Sequence, residues 1–364
     1  METKPTSFQE SRQSLLLIAT IVGRSPEALP FAQGEENAAY GHLAALCAEL
    51  GLDLHLAHHD NLSGKSSALA WSWRDGQWRP GQLPLAEVSL CYADLPPNFP
   101  RAGAFRQALE PLPMTIVNAL PLSDLLTDKL ATHEFFEDYV PPTWSAGRPG
   151  LVDHLRKVRL HSDISADKFF LKPRYGERGR GIYVTDLEGL AEHPALEACD
   201  YILQAFLETR CGIPELGIHE RHDLRLILRD GEIVLAFARM PRAGSYVSNC
   251  SQGGREVPLA IERLPKRVTR FAADVDARLD HFGSRLYSLD LGLGPSGKIW
   301  IYELNTMPGI VWDDDKPENK PLHCNMHRIL ADWLAAAPLQ ALPSSGPDLS
   351  VGSSSSSVAL RSIA

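Results

Sequence analysis

The strongest constraint on the fold is a change of pattern along the chain near residue 119. Before it, short apolar runs alternate with segments of helical periodicity: residues 15–22 read as a strand, residues 35–50 as a helix and residues 52–56 as a second strand. This alternation is typical of a small parallel sheet with helices packed on it. We therefore expect an α/β domain over residues 14–118.

Four further elements are predicted in this first region. Strands at residues 88–92 and 115–117 flank a helix at residues 101–109. Residues 68–78 are predicted to form a hairpin that turns at Asp75-Gly76, a dipeptide that favours tight hairpin turns.

The rest of the chain predicts hairpins rather than alternation. A helix from Ser123 to Tyr139, capped by Ser123, leads into them. Turn residues such as Asp230-Gly231 then separate strand-like segments, which favours antiparallel sheets. The predicted strands are residues 169–172, 182–185, 201–207, 224–228, 233–238, 287–293 and 299–305, with helices at residues 265–282 and 325–336. We expect α+β domains at residues 119–200 and 201–337.

Composition narrows the class of protein. The Ser-rich segment 338–364 is predicted to be disordered, because it has too little apolar surface to offset the entropy of ordering. A net charge of -9 argues against a nucleic-acid partner. The apolar run at residues 15–22 is far shorter than the roughly 20 residues that span a bilayer. We therefore expect no membrane partner. The six cysteines include no CxxC pair, so we expect reduced thiols, which favour a cytoplasmic location.

A metal site is predicted near the end of the second part. Glu303 and Asn305 are two residues apart on one strand, so their side chains share a face. If residues 294–297 form a four-residue loop, Asp290 pairs with Ile301 and lies diagonal to Glu303 on that face. Two carboxylates and an amide oxygen side by side suit Mg²⁺. The alternative is an exposed hairpin with a polar outer face.

A phosphate-binding loop is predicted at residues 172–181. A strand ends at Lys172 and passes into a loop that contains Gly176, Gly179 and Gly181, where the backbone can approach a polyphosphate closely. Because a strand and not a helix follows, the segment is neither a Walker loop nor a dinucleotide fingerprint. An ordinary hairpin turn with a charged tip is the alternative.

A third group of residues is basic and polar. Arg225 and Arg239 lie on adjacent predicted strands and Asn249 follows them, so guanidinium groups could grip a carboxylate or a phosphoryl group. Surface ion pairs with Asp223 or Asp230 are the alternative for each arginine alone.

Taken in order, seven segments resemble the ATP-grasp superfamily, most of all its carboxylate-amine ligase branch, which includes glutathione synthetase, the glutamate-adding ligases and D-alanine:D-alanine ligase. They are Asp128-Lys129, the segment 170–181, the segment 204–208, Asp223-Leu224-Arg225, the segment 249–254, Asp290 and Glu303-Leu304-Asn305. The likeness covers residues 118–310. Residues 14–118 are similar to the pre-ATP-grasp domain of that family.

The resemblance implies a role for each matched residue. Contacts to ATP are implied for Lys129, Lys172, Gly176, Gly179, Gly181, Gln204, Phe206, Leu207, and for Glu208 or Asp223 at the ribose, a choice that the sequence leaves open. Asp290, Glu303 and Asn305 match the metal ligands. Arg225, Arg239 and Asn249 match positions near the phosphates and the acyl substrate.

The implied activity is an ATP-dependent ligase that joins a carboxylate to an amine through an acyl phosphate, with ADP and phosphate as products. The implied cofactors are ATP and Mg²⁺, or Mn²⁺ in its place. The partners would be a small-molecule acid and amine or a peptide terminus, and a homodimer is an open expectation. The alternatives are a small-molecule kinase on the same scaffold and a nucleotide-binding module without turnover.

Overall fold

The computed structural model describes residues 12–19, 22–62, 66–94, 109, 112, 114–176, 180–194, 200–246, 248 and 253–338. Its strands form three sheets, of six, four and five strands. Four features interpreted from the sequence lie outside the described residues: the helix at residues 101–109 apart from Leu109, the loop residue Gly179, Asn249, and the tail beyond residue 338.

The first sheet is mixed and has the order β4-β3-β2-β1-β5-β6. Strands β1, β2, β5 and β6 are parallel, whereas β3 and β4 form an antiparallel hairpin at one edge. Asp75 and Gly76 turn that hairpin with φ angles of 51° and 74°, as the sequence predicts. The strands are β1 (Gln13–Ala19), β2 (Leu52–Ala57), β3 (Ser67–Arg74), β4 (Gln77–Pro84), β5 (Leu90–Asp94) and β6 (Thr115–Val117).

Two helices cover one face of this sheet. They are α1 (Gly34–Glu49) and, from the other end of the chain, α7 (Lys320–Ala335). Leu15 and Leu17 of β1 pack in the same apolar cluster as both helices, while Leu16 and Ile18 belong to a cluster on the opposite face. The final helix, α7, begins at Lys320, five residues before the predicted residue 325. Pro321 is tolerated because it lies in the first turn of the helix.

The helix predicted from Ser123 to Tyr139 is two helices, α2 (Leu120–Thr127) and α3 (Lys129–Phe135). Asp128 separates them in an extended conformation, and its carboxylate accepts the backbone N–H groups of Leu130 and Ala131. Asp128, and not Ser123, is thus the helix cap. Because of this break, Lys129 is the first residue of α3.

The second sheet is antiparallel, in the order β7-β10-β8-β9. Its strands are β7 (Thr143–Ser145), β8 (Ile164–Pro173), β9 (Tyr183–Thr185) and β10 (Tyr201–Leu207). Two short helices, α4 (Leu151–Leu155) and α5 (Leu187–Ala191), contribute apolar side chains to its cluster.

The third sheet is antiparallel and has the order β13-β12-β11-β14-β15. Alternate residues of β11, such as Leu224 and Leu226, join the apolar cluster of helix α6 (Lys266–Leu279), so Asp223 and Arg225 lie on the opposite face. The strands are β11 (Asp223–Arg229), β12 (Glu232–Met240), β13 (Arg255–Leu259), β14 (Leu286–Leu293) and β15 (Ile299–Asn305).

The register between β14 and β15 differs from the prediction. Leu293 pairs with Ile299, so the loop has five residues, and Asp290 lies directly opposite Glu303 and not opposite Ile301. Tyr302 is the extra residue where the register shifts between Asp290 and Leu291. The predicted diagonal was wrong, but the two carboxylates share one face because paired residues of antiparallel strands point the same way.

Within the described part of the chain, no helix combines the length and the apolar character that crossing a bilayer requires.

Candidate active site

A cleft lies between the second and third sheets, on the charged face of β11, β14 and β15. Five cationic and three acidic side chains line it together with aromatic and apolar ones. The charged residues are Lys129, Lys172, Arg180, Arg221, Arg239, Asp223, Asp290 and Glu303. The excess of positive charge favours an anionic ligand.

Two lysines stand on the side of the cleft that the second sheet and α3 provide. Lys172 of β8 donates to Oε1 of Gln204 at 2.7 Å, and burial lowers its pKa to about 8. Lys129 lies 3.0 Å from Oε1 of Glu303 and donates to the carbonyl of Gly176 at 2.6 Å. Lys129 thus connects α3, the glycine-containing loop and β15.

Asp128 fixes the position of Lys129. Besides capping α3, its carboxylate accepts from Nε of Arg174 at 2.8 Å and from the hydroxyl of Tyr175 at 3.0 Å. Burial raises the pKa of Asp128, but the hydrogen bonds from Arg174, Ala131 and Tyr175 outweigh it, so the net shift is downward. The start of α3 is therefore tied to the end of β8 by a charged side chain.

Four charged residues of the third sheet form one network. Arg225 donates to both oxygens of Asp290, each at 2.6 Å, and Arg239 reaches across β11 to donate to Oδ2 of Asp290 at 2.6 Å. The same Arg239 nitrogen donates to Oδ2 of Asp223. Arg239, Asp223 and Asp290 are all buried.

The two acids of this network have opposite pKa shifts. Burial raises the pKa of Asp223 to about 7, a shift that the charge of Arg239 only partly offsets. Burial also acts to raise the pKa of Asp290, but the charges of Arg225 and Arg239 outweigh it and lower the pKa below its usual value. Asp290 is the ionised member, and Asp223 exchanges a proton near neutral pH.

Three buried polar atoms at the cleft have no hydrogen-bond partner among the described residues. They are Nε of Arg221, Oδ1 of Asp223 and Nε of Arg239. Because buried polar atoms in native proteins are nearly always paired, these two donors and one acceptor are available to water or to a ligand in the cleft.

The predicted metal ligands fall into two parts. Asp290 and Glu303 lie opposite each other on neighbouring strands and line the cleft, whereas Asn305 lies further along β15, opposite Ser288. The donor types fit Mg²⁺, but Oδ2 of Asp290 already accepts from two arginines, so only Oδ1 has room for a further partner. Glu303 is half-buried and meets Lys129.

The predicted nucleotide-binding residues of β10 also divide. Phe206 and Leu207 line the cleft, and Phe206 stacks on Phe170 of β8 with ring centres 4.9 Å apart. Gln204 lies behind the cleft, where it holds Lys172 and donates to Thr143. Glu208 is paired instead with Arg210 at 3.1 Å and with Arg221 at 3.6 Å.

The glycines of the predicted phosphate loop are described at both of its ends. Gly176 lines the cleft with a φ of 148°, and Gly181 has a φ of 70°, a backbone conformation in which other residues are strained. The intervening Gly179 lies outside the described residues.

Arg221 and Tyr302 are among the cleft-lining residues that sequence reasoning did not select. The guanidinium of Arg221 lies 4.6 Å from the ring centre of Tyr246 and 5.4 Å from that of Phe206. Arg221 precedes Asp223 by two residues, a spacing that could have suggested a shared face. Tyr302 gave no such signal, because strict alternation places it on the face opposite Glu303.

A second group of metal-ligand types lies at the carboxyl end of β2. His58, His59 and Asp60 bring one potential ligand atom each within 4.8 Å of one another. The guanidinium of Arg24 already contacts this group, 3.0 Å from Asp60 and 3.3 Å from His58. Since a protein cation fills the position, we assign no metal to it.

Comparisons with known proteins bear on the fold. The chain matches no protein-family model. It is 22% identical over 204 residues to beta-citrylglutamate synthase B of Mus musculus, a match that spans 54% of this chain and 46% of that protein. The chain thus aligns with about half the length of this curated relative.

Solved structures match almost the whole chain. An ATP-grasp ligase associated with ribosomal peptides from Chryseobacterium gregarium, in complex with ADP and leader and core peptides, has a TM-score of 0.55 at 15% identity and covers 91% of this chain and 100% of its own. D-alanyl-alanine synthetase A from Vibrio cholerae has a TM-score of 0.53 at 15% identity and covers 89% of this chain and 96% of its own. The ATP-grasp ligase PsnB, in complex with a phosphomimetic variant of a minimal precursor, Mg and ADP, has a TM-score of 0.53 at 13% identity and covers 89% of this chain and 98% of its own. The chain therefore has the ATP-grasp fold, as the sequence resemblance implied.

Proposed function

We propose that this ATP-grasp protein is an ATP-dependent ligase that joins a carboxylate to an amine, with ADP and phosphate as products. The observation that carries the proposal is the cleft itself, which combines an excess of cationic side chains with buried, unpartnered polar atoms. A nucleoside polyphosphate supplies the negative charge, acceptors for the two arginine nitrogens and hydroxyl groups that can donate to Asp223.

Lys129 and Lys172 are proposed to hold the phosphates of the nucleotide. Both line the cleft, and Lys172 is buried, so its charge acts in a region of low dielectric. Negative phosphates would raise the pKa of Lys172 again and keep the lysine protonated. Gly176 and Gly181 would let the adjoining backbone approach those phosphates closely.

Glu303, Oδ1 of Asp290 and Asn305 are proposed to hold Mg²⁺. The ion would lower the repulsion between a carboxylate nucleophile and the phosphates that it approaches. Lys129 forms an ion pair with Glu303. Once a cation replaces Lys129 beside Glu303, the lysine is free to contact the phosphates. Two relatives with the same fold were solved with ADP, one of them with Mg as well, which supports this choice of cofactor.

The structure supports Asp223 over Glu208 as the acid that binds the ribose. Asp223 lines the cleft and has an unpartnered oxygen beside the unpartnered Nε of Arg239. A hydroxyl group can donate to the first and accept from the second. Glu208 is held by Arg210 and Arg221. Phe206 and Leu207 would contact the base.

In the proposed reaction, a carboxylate oxygen of the acid attacks the γ-phosphorus and the bond to the β-phosphate oxygen breaks, which releases ADP. The amine nitrogen then attacks the acyl carbon, phosphate leaves and the amine loses a proton. Arg225 and Arg239 both donate to Asp290, and of the two only Arg239 lines the cleft. Their proposed role in stabilising the transferring group, like that of Asn249, rests on the sequence resemblance. A peptide terminus is a candidate substrate, because two relatives with this fold bind peptides.

The test is a phosphate-release screen of ATP and Mg²⁺ with pairs of acids and amines, including short peptides. We expect release only when both substrates are present, and Glu303→Gln should reduce the rate at least a hundredfold. Glu232→Gln, on an exposed site of the same sheet, is the matched control and should match wild type. ADP without free phosphate would indicate a kinase, and AMP as product would refute the proposal.

A further inference from the structure

A buried carboxylate connects the two sheets that enclose the cleft, and neither sequence reasoning nor the proposed chemistry uses it. Asp163 precedes β8 of the second sheet and is fully buried. Its oxygens accept from the backbone N–H and the hydroxyl of Ser296, at 2.8 Å and 2.6 Å, and from Nε1 of Trp300 at 3.2 Å. Ser296 lies in the loop between β14 and β15 of the third sheet, and Trp300 is the second residue of β15.

The backbone of Asp163 makes a second connection. Its carbonyl accepts the N–H of Glu208 at 2.9 Å, directly after β10 ends at Leu207. Asp163 therefore joins three segments at one point: the start of β8, the end of β10 and the hairpin tip.

The surrounding packing leaves the hairpin tip little freedom. A Cβ at Gly294 would overlap the Asp163 carboxylate, so this residue of the loop must be glycine for the contact to form. Beside it, Ile164 and Leu207 of the second sheet share a small apolar cluster with Trp300 of the third, and Tyr302 packs against it. Leu207 and Tyr302 are also walls of the cleft.

We propose that Asp163 is a positioning residue, which locks the β14–β15 hairpin against the second sheet and so holds Glu303 and Tyr302 in place opposite Lys172 and Leu207. The proposal rests on the function proposed above, because it concerns the geometry of the nucleotide cleft. Asp163 acts through the hairpin and does not itself line the cleft.

Asp163→Asn tests the role with almost no change in shape. In either orientation its amide nitrogen would replace an oxygen that accepts an N–H, from Trp300 or from the backbone of Ser296, so two donors would oppose each other. We expect the hairpin tip to lose its anchor and the dissociation constant for MgADP, measured by calorimetry, to rise at least tenfold.

Asp276→Asn is the matched control. Asp276 is a buried aspartate of similar exposure that bonds Arg285 and Tyr287 behind the third sheet, away from the cleft. It should lower the melting temperature as much as Asp163→Asn or more, and leave the MgADP affinity within a factor of two of wild type. A purely structural role for Asp163 would make the two variants alike.

The serine on the other side of the contact provides a milder pair. Ser296→Ala removes the hydroxyl donor but keeps the backbone N–H, so we expect about a threefold loss of MgADP affinity. Ser296→Thr keeps the hydroxyl, and because residue 296 is exposed the added methyl group has room, so this variant should match wild type. The proposal is refuted if Asp163→Asn binds MgADP as wild type does, or if Asp276→Asn weakens binding equally. A wild-type chain that does not bind MgADP would refute the proposed function first.

Discussion

Two buried networks of aspartate and arginine lie on opposite faces of the third sheet, and they differ in how completely they are paired. In the core network, Asp276 accepts from Arg285 with both oxygens and from the hydroxyl of Tyr287 at 3.0 Å. Arg285 also donates to the carbonyl of Gly283 and to Asp280, so each of its three nitrogens has a partner. This network is complete without a ligand.

The cleft network has the same residue types and is incomplete. Arg239 bridges Asp223 and Asp290, yet its own Nε and Oδ1 of Asp223 are buried without partners among the described residues. A buried polar atom that lacks a partner costs about 1–3 kcal/mol, so a ligand that pairs these atoms would recover that free energy. The difference separates a network that stabilises the fold from one arranged to bind.

The largest effect is expected in the core network. Arg285→Met leaves the buried carboxylate of Asp276 without its cation, so the free energy of unfolding should fall by about 3–5 kcal/mol in urea titrations. The dissociation constant for MgADP should not change at a temperature where the variant is folded. A variant that loses affinity for MgADP would abolish the distinction between the networks.

Arg239→Met should show the reverse pattern. Asp290 keeps Arg225, and Asp223 can take up a proton because its pKa is about 7, so no uncompensated charge remains at neutral pH. We expect a loss of about 1–2 kcal/mol in the free energy of unfolding, in the range of one or two ordinary hydrogen bonds. MgADP affinity should fall at least a hundredfold, and a fall of less than threefold would contradict the assignment.

A lysine in the cleft extends the comparison. Lys172→Met removes a buried charge but leaves Oε1 of the buried Gln204 without its donor, so these opposing effects should change the free energy of unfolding by less than about 2 kcal/mol, whereas MgADP affinity should fall at least tenfold. Lys266→Met, exposed at the start of α6, is the control and should change neither quantity. If both variants bind MgADP equally, Lys172 does not contact the phosphates.

Most strands of the described chain were predictable because their apolar residues follow a recognisable pattern, whereas β7 and β13 were not predicted. The predicted bounds of β10 and β15 match the structure at both ends, and the turn at Asp75-Gly76 lies where the dipeptide placed it. The break at Asp128 was not predicted, because the apolar period continues across it and only the carboxylate, by bonding two N–H groups, ends one helix and starts the next.

The candidate site was predictable in its residue types and not in its pairing. Asp290 and Glu303 share a face as expected, but the five-residue loop and the bulge at Tyr302 change their register. The reach of Arg239 across β11 to Asp290, and the contact of Asp163 with a hairpin 133 residues away, depend on packing between segments that no local pattern records.

The smallest effect tests the proton on Asp223. Its pKa is raised by burial to about 7, against an ordinary value of 3.8, so between these values the folded chain holds a proton that the unfolded chain has released. Between about pH 4.5 and 7.5, the free energy of unfolding of wild type relative to that of Asp223→Asn should therefore decrease as the pH rises, with a slope of at most about 1.4 kcal/mol per pH unit, the value for one proton. Asp290 has a lowered pKa and acts in the opposite direction only below its ordinary pKa. Buried histidines such as His55 and His327, whose pKa burial lowers to about 4, act in the opposite direction within this range but are present in both proteins, so the difference between the two profiles isolates Asp223. Parallel pH profiles of the two proteins would show that Asp223 is ionised throughout, and the cleft network would then carry one more fixed negative charge than we infer.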